Sequence, residues 1–181
     1  MSLGKKIQYS FAKIKFSLWP LPEKEPSTKP TNIVASKIVL LYNFSTEKEQ
    51  ETLAGQLLNI KKQLHASSSI TICNFSDTQL LNENEDVVNY SPDDFHLLGK
   101  PKSKLSTWIS KNTFDILISF VGDENVYCNN LVSCIKSDFK AGIYRPNVVK
   151  LFDLTIKQET NNINNQLELF IQYINKLNIN K

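Results

Sequence analysis

Glycine, cysteine and histidine are scarce in this chain of 181 residues, which holds 5, 3 and 2 of them respectively. The first apolar run of the sequence is followed by Asn43-Phe-Ser45, where no glycine lets a phosphate approach the backbone. Neither a GxGxxG nor a GxxxxGK[ST] pattern follows that run. The sequence therefore argues against a classical dinucleotide site or a P-loop, and we expect no cofactor.

The three cysteines are not arranged as metal ligands or as a disulfide framework. Cys73, Cys128 and Cys134 form no CxxC pair, and only His65 and His96 could join them as ligands. We therefore expect no metal site, and reduced thiols in core positions are typical of a cytoplasmic protein. No serine lies in a GxSxG elbow, so no catalytic residue is predicted.

Long apolar runs are also missing. No run approaches the ~20 residues that span a bilayer. Lys13 and Lys15 interrupt the apolar core that a signal peptide would need. We expect a cytoplasmic protein, with contact at the inner membrane surface as an open alternative.

Positive charge is concentrated at one end of the chain. Residues 1–36 contain six lysines and two glutamates, a net charge of +4, whereas the rest contains 15 basic and 16 acidic residues, a net charge of −1. Residues 1–19 form a basic arm in which Ile7, Phe11, Ile14 and Leu18 recur at helical spacing. Residues 20–35 form a proline-rich linker. Residues 36–181 form the predicted globular domain.

The arm is a candidate for docking, because it interleaves lysines with aromatic side chains. It suits three kinds of target: an anionic membrane surface, an RNA–protein assembly, or a protein surface, which includes its own domain. Specific DNA binding is not expected. The candidate docking residues are Lys5, Lys6, Phe11, Lys13, Lys15, Phe16 and Trp19.

Strands and helices alternate along residues 36–181. Apolar runs predict strands at 37–43, 69–75, 114–120, 139–144 and 148–156, and helical periodicity fills most intervals between them and the end of the chain. Residues 77–94 are acidic and are predicted to lie outside the sheet, with a short helix that begins at Ser91. This order predicts an α/β fold, a three-layer Rossmann-like or flavodoxin-like sandwich with a mostly parallel sheet of about five strands.

Ligand sites of parallel sheets lie past the carboxyl ends of the strands. The candidates there are Ser45, Ser119, Asp123, Arg145 and Asp153. Ser45 and Asp123 are also explained as helix caps, and Asp153 as a strand-end residue that bonds the backbone. Arg145 is the only arginine of the chain, and a guanidinium binds phosphate or carboxylate with two hydrogen bonds.

Several segments carry a resemblance to known families. The IVLLYNF run at 38–44, FHLLGKPK at 95–102, FDILISF at 114–120 and FKAGIYRP at 139–146 resemble an uncharacterised family of small bacterial α/β proteins with a basic N-terminal arm. More distantly, residues 114–146 are similar to the N-terminal half of heptosyltransferase-type glycosyltransferases. Those enzymes use two Rossmann-like halves, and this chain has room for one.

The sequence therefore predicts a non-catalytic binding or adaptor protein that docks through its arm. The alternative is a small glycosyltransferase-like protein that binds a nucleotide sugar or a phosphorylated metabolite at the strand ends.

Overall fold

A computed structural model describes residues 3–18, 37–43, 69–76, 86–121, 125–157 and 163–178. Its helices are α1 (Leu3–Leu18), α2 (Ser103–Lys111), α3 (Val126–Cys134) and α4 (Ile163–Asn178). Its strands are β1 (Lys37–Tyr42), β2 (Ser69–Phe75), β3 (Val87–Tyr90), β4 (Thr113–Ser119), β5 (Lys136–Ile143) and β6 (Leu154–Ile156). Single 3-10 turns lie at Pro92–Asp94 and Val149–Leu151.

The strands form one six-stranded sheet in the order β3-β2-β1-β4-β5-β6, and every neighbouring pair is parallel. This is the strand order of the doubly wound Rossmann arrangement. The predicted α/β fold is confirmed, with six strands rather than about five. Strands β2 and β3 are added on one side of β1, and β4, β5 and β6 on the other. The change falls between β1 and β4, which is where such folds leave a crevice at their carboxyl edge.

Strand β3 is the additional strand, and it comes from the acidic segment predicted to lie outside the sheet. That prediction is wrong for Val87–Tyr90, which pairs with β2. The Nδ2 atom of Asn74 donates to Oδ1 of Asn89 at 3.1 Å across this pair. A four-residue run between acidic neighbours gives too short a pattern to be recognised, and its pairing with β2 is a tertiary contact.

The predicted strand at 148–156 is also wrong in extent. Its first half forms the turn Val149–Leu151, and only Leu154–Ile156 pairs with β5. Asp153 therefore precedes β6 instead of lying near the end of a strand. Most residues of this segment favour strands, so its composition does not reveal the turn that precedes β6.

The two faces of the sheet bury separate apolar clusters. Successive side chains of a strand point to opposite faces, so Ile38 and Leu40 of β1 join one cluster and Val39 and Leu41 the other. The first cluster packs against Leu167, Phe170 and Ile171 of α4. The second packs against residues of α1, α2 and α3, which include Ala12, Leu105, Ile109, Leu131 and Val132.

Local caps fix where the short elements begin. Ser91 starts the Pro92–Asp94 turn with a capping box, in which its backbone N–H donates to Asp94 Oδ2 at 2.8 Å. Asn125 caps α3, because its Oδ1 accepts the backbone N–H groups of Tyr127 and Cys128 at 3.1 Å each. The caps therefore fix the starts of the turn after β3 and of α3.

Other predictions fall on parts of the chain that the structure does not describe. The predicted helix after β1, the acidic stretch 77–85 and the linker 20–35 lie outside the described residues. The proposed domain boundaries therefore stay predictions. Within the described residues, no helix is long and apolar enough to cross a membrane.

Candidate functional site

The carboxyl ends of β4 and β5 bring two predicted site residues to the same edge of the sheet. Ser119 is the last residue of β4 and pairs with Gly142 of β5, and Arg145 follows the end of β5 two residues on. Both side chains are buried, with exposures of 0% for Ser119 and 3% for Arg145. The two residues therefore lie at the edge where parallel sheets bind ligands, but beneath its surface.

Arg145 ties the end of β5 to helix α3. Its Nη1 donates to Oδ1 of Asn129, which lies in the first turns of α3, at 3.1 Å. A guanidinium at 3% exposure cannot grip a ligand from solvent unless neighbouring side chains move aside. The described contacts thus give Arg145 a structural role in joining a strand to the helix that covers it.

The hydrogen bonding of the Ser119 side chain is incomplete within the described residues. Its Oγ atom is buried and has no hydrogen-bond partner among the described residues. A buried hydroxyl without a partner costs free energy, on the order of 1–3 kcal/mol. At 0% exposure the Ser119 hydroxyl, like the Arg145 guanidinium, meets a ligand group only if neighbouring side chains move aside.

A buried thiol and a phenol lie close to this edge. The Tyr90 hydroxyl donates to Sγ of Cys128 at 3.4 Å. Burial raises the pKa of the Cys128 thiol from 9.0 to about 12, although the Tyr90 hydrogen bond and the positive charge of Arg145 oppose this shift. Burial also raises the pKa of Cys73. Both thiols are therefore protonated at neutral pH, and neither is a ready nucleophile.

Asp153 is not part of the same cluster. Its Oδ2 accepts the backbone N–H of Lys140 at 2.7 Å, and its own N–H donates to the carbonyl of Lys140 at 2.7 Å. Lys140 precedes the end of β5 by three residues, which is about 10 Å of strand. The carboxylate thus joins the start of β6 to the middle of β5. Ser45 and Asp123 lie outside the described residues.

Helix α1 packs on the domain through a narrow face. Ala12 is completely buried, and the Tyr9 ring meets the Tyr127 ring of α3 edge to face, with centroids 5.8 Å apart. Both residues contribute to the cluster on the α2 and α3 side of the sheet. The described part of the basic arm is therefore a helix that lies against its own domain.

The opposite side of α1 carries its large apolar residues outward. Ile7, Phe11 and Ile14 are 48%, 46% and 54% exposed. At about 100° per residue these three positions share one face, nearly opposite Tyr9 and Ala12. Lys6 and Lys13 are also exposed, on the side of the helix between this stripe and Tyr9. Of the other arm candidates, Trp19 and the side chains of Lys5, Lys15 and Phe16 lie outside the part that the structure describes.

The contact that orients α1 was not predicted from the sequence. It depends on Tyr127, whose ring also packs against Phe75 and Phe95, with centroids 5.9 and 4.9 Å apart. The available signal was the pairing of a small residue, Ala12, with an aromatic one, Tyr9, on the less apolar face of the helix. That signal is weak unless the partner surface is known.

Metal-binding groups do not assemble in the described part of the chain. No group of three or more His, Cys, Asp or Glu side chains there could hold a metal ion. His96 is exposed in the turn between the Pro92–Asp94 segment and α2. His65 lies outside the described residues.

The strand order and the site at the carboxyl edge define a doubly wound α/β protein. Its first helix, α1, comes before the sheet and packs against α3. The chain belongs to a family of unknown function, DUF6913, whose model matches residues 13–177. The expected membership of an uncharacterised family is thereby confirmed. No curated protein and no solved structure matches the chain, so the comparisons give no support to the heptosyltransferase resemblance.

Proposed function

We propose that this protein is a non-catalytic adaptor that α1 attaches to an anionic membrane surface. The observation that carries the proposal is the orientation of α1. Its strongest apolar face, Ile7, Phe11 and Ile14, points away from the domain, whereas the weaker face with Tyr9 and Ala12 is buried.

If α1 packed on the domain for stability alone, the face with Ile7, Phe11 and Ile14 would be turned toward the domain. Fully burying an isoleucine or phenylalanine side chain stabilises a protein by about 1.5–3 kcal/mol. Rotation of α1 about its axis would bring these three side chains to the domain in exchange for the face that holds Tyr9, Ala12 and, by helical position, Phe16. The outward stripe is therefore better explained by a surface that it meets, and an amphipathic helix lying in the plane of a bilayer meets the acyl boundary in this way.

Charge favours the same target. Helix α1 contains four lysines and no acidic residue. Lysines near an anionic lipid surface contribute roughly 1 kcal/mol each. The half-exposed stripe adds about 1 kcal/mol per side chain, since half of each is already covered. Together these terms support reversible binding to anionic lipid and weak binding to neutral lipid.

RNA is a less suitable target for the same helix. Single-stranded RNA is bound largely by stacking of bases on exposed aromatic rings. Tyr9 is half-buried with its ring against Tyr127, which leaves Phe11 as the exposed aromatic residue of α1 among those with described side chains. A protein surface in place of lipid is an outcome that the following experiment distinguishes.

The test is flotation of the full chain with vesicles of phosphatidylcholine alone or mixed equally with phosphatidylglycerol. We expect binding to the mixed vesicles only. The double substitution Ile7→Ser with Phe11→Ser removes about 2 kcal/mol of apolar contact and should weaken binding about 30-fold. Added salt should weaken vesicle binding by the wild type, because salt screens the charges of the lysines.

A matched control lies on the other side of the sheet. Leu169 and Tyr173 of α4 are 41% and 44% exposed and four residues apart, as Ile7 and Phe11 are. Leu169→Ser with Tyr173→Ser should leave vesicle binding unchanged. Absence of binding by the wild type, or equal losses from the two double variants, would contradict the proposal.

Charge reversal gives a second comparison. Lys6→Glu with Lys13→Glu should abolish binding to the mixed vesicles. Lys100→Glu with Lys157→Glu, which changes the same net charge at exposed positions outside α1, should reduce it much less. Equal effects would mean that total charge, and not α1, determines binding.

A second candidate function is binding of a nucleotide sugar or phosphorylated metabolite at the carboxyl edge. The buried Oγ of Ser119, which lacks a partner among the described residues, favours it. Thermal unfolding with UDP-glucose or a sugar phosphate tests it: stabilisation of the wild type that Ser119→Ala removes would support this candidate. Unchanged melting would count against it.

A further inference from the structure

A tight turn just before α2 presents two leucines to solvent. Leu97 and Leu98 are 50% and 51% exposed, about as much as the outer stripe of α1. The backbone N–H of His96 donates to the carbonyl of Lys100, and the N–H of Gly99 donates to the carbonyl of His96, each at 2.8 Å. Gly99 has a φ of 77°, a left-handed conformation that glycine adopts without strain. The two leucines are therefore held outward by a closed turn.

The turn is fixed to the side of the domain that carries α1. Phe95, which comes directly before the turn, belongs to the apolar cluster that α1 also joins. The Tyr127 ring of α3 contacts both segments, with centroids 4.9 Å from the Phe95 ring and 5.8 Å from the Tyr9 ring. The side-chain amide of Asn130, also on α3, donates to the carbonyl of Gly99. The turn and α1 thus rest on the same helix.

The backbone of the turn is suited to a surface where water is scarce. A backbone group that leaves water without a hydrogen-bond partner costs free energy. The N–H groups of His96 and Gly99 have partners within the domain, and so do the carbonyls of His96, Gly99 and Lys100. Pro101, which follows, has no N–H to satisfy. The turn can therefore place its leucine side chains at an acyl boundary and keep these hydrogen bonds.

The charge around the turn favours the same target as α1. Residues 95–114, which include the turn and α2, contain four lysines and no acidic residue. The Nζ atom of Lys102 donates to the carbonyl of Asp93 at 2.6 Å, and because a carbonyl is neutral this hydrogen bond leaves the positive charge in place. A basic segment with an exposed apolar tip combines the two attractions that hold a protein on anionic lipid.

We propose that Leu97 and Leu98 enter the same anionic membrane surface as α1 and form a second point of attachment. This inference rests on the proposed membrane attachment of α1. A single helix in the plane of a bilayer leaves the domain free to rock about the helix axis. A helix and a turn that both contact lipid define a plane, so the turn would fix the tilt of the domain.

The direct test is an environment-sensitive NBD label at position 98. Leu98→Cys supplies the thiol in a Cys134→Ser background, since the remaining thiols of Cys73 and Cys128 are buried. With vesicles of phosphatidylcholine mixed equally with phosphatidylglycerol, the NBD emission should shift to the blue, because the label leaves water. The same label on Tyr173→Cys of α4 should not shift. An unchanged spectrum at position 98 on protein that has bound the vesicles would overturn the proposal.

Flotation with the same vesicles separates this proposal from the attachment through α1. Leu97→Ser with Leu98→Ser should weaken binding roughly 30-fold, because two half-exposed side chains lose their lipid contact. Leu169→Ser with Tyr173→Ser is again the control and should not weaken it. Loss of binding by the α1 double variant together with full binding by the turn variant would overturn this proposal alone. Absence of binding by the wild type would overturn both.

Discussion

Gly142 provides a stringent test of the packing around the carboxyl edge. It pairs with Ser119 of β4 and Thr155 of β6, and no left-handed φ requires glycine there. A Cβ atom at this position would lie 2.5, 2.6 and 2.9 Å from Cε1, Cζ and Cδ1 of Phe152. We therefore expect that glycine is needed for space and that Gly142→Ala destabilises the protein.

The size of the effect follows from the contact distances. Carbon atoms in contact sit about 3.5–4.0 Å apart, so the Phe152 ring must withdraw by about 1 Å. Phe152 is half-buried and packs against the cluster on the α2 and α3 side, which resists this movement. Overpacking of this kind costs about 1–3 kcal/mol. In a domain of this size the loss lowers Tm by roughly 2 to 12 °C.

A double-mutant cycle with Phe152→Leu measures the contact directly. Thermal and urea unfolding followed by circular dichroism give the four stabilities. In the leucine background Gly142→Ala should cost at least 1 kcal/mol less, an effect well above the usual non-additivity of about 0.5 kcal/mol. Equal costs in both backgrounds would refute the reasoning. Gly4→Ala is the control, because nothing lies within 4 Å of its Cβ and alanine favours α1.

Three further predictions concern α3 and the thiols. Asn125→Ala removes the cap of α3 and should lower the urea-derived stability by about 1 kcal/mol, which Asn125→Asp should largely restore. Iodoacetamide at pH 8 should modify half-buried Cys134 and spare Cys73 and Cys128 until urea unfolds the protein; equal labelling would contradict their burial. Stability should fall as pH rises above 9.0 toward about 12, because unfolded Cys128 ionises there while the folded thiol stays protonated; urea titrations of wild type and Cys128→Ala should show a shallower fall in the variant.

Elements with a strong apolar period were predictable, because their burial follows from local pattern. The prediction for β2 matches the structure at both ends, and β1 differs from its prediction by one residue. Strands β3 and β6 have only four and three residues, and their pairing is decided by the neighbouring strand. A short run that pairs at the side of a sheet leaves too little periodicity to identify it.

For the candidate site, position was more predictable than environment. Ser119 and Arg145 lie where the strand pattern places them, past or at strand ends on one edge. Their burial depends on how α3 covers that edge, and the partner of Arg145 is Asn129, which no motif links to it. Asp153 lies before β6, because the segment whose pattern predicts one strand begins with the turn Val149–Leu151.

The orientation of α1 determines which side of the domain the proposed attachment would bring to the membrane. Helices α1, α2 and α3 contribute to the apolar cluster on one side of the sheet, and α4 covers the other side. When the outer stripe of α1 lies on lipid, the side with these three helices faces the membrane and α4 faces away from it. The edge-to-face contact between Tyr9 and Tyr127 then joins the attached helix to α3, so the attachment holds the whole sheet in one orientation and leaves the α4 side accessible to a partner.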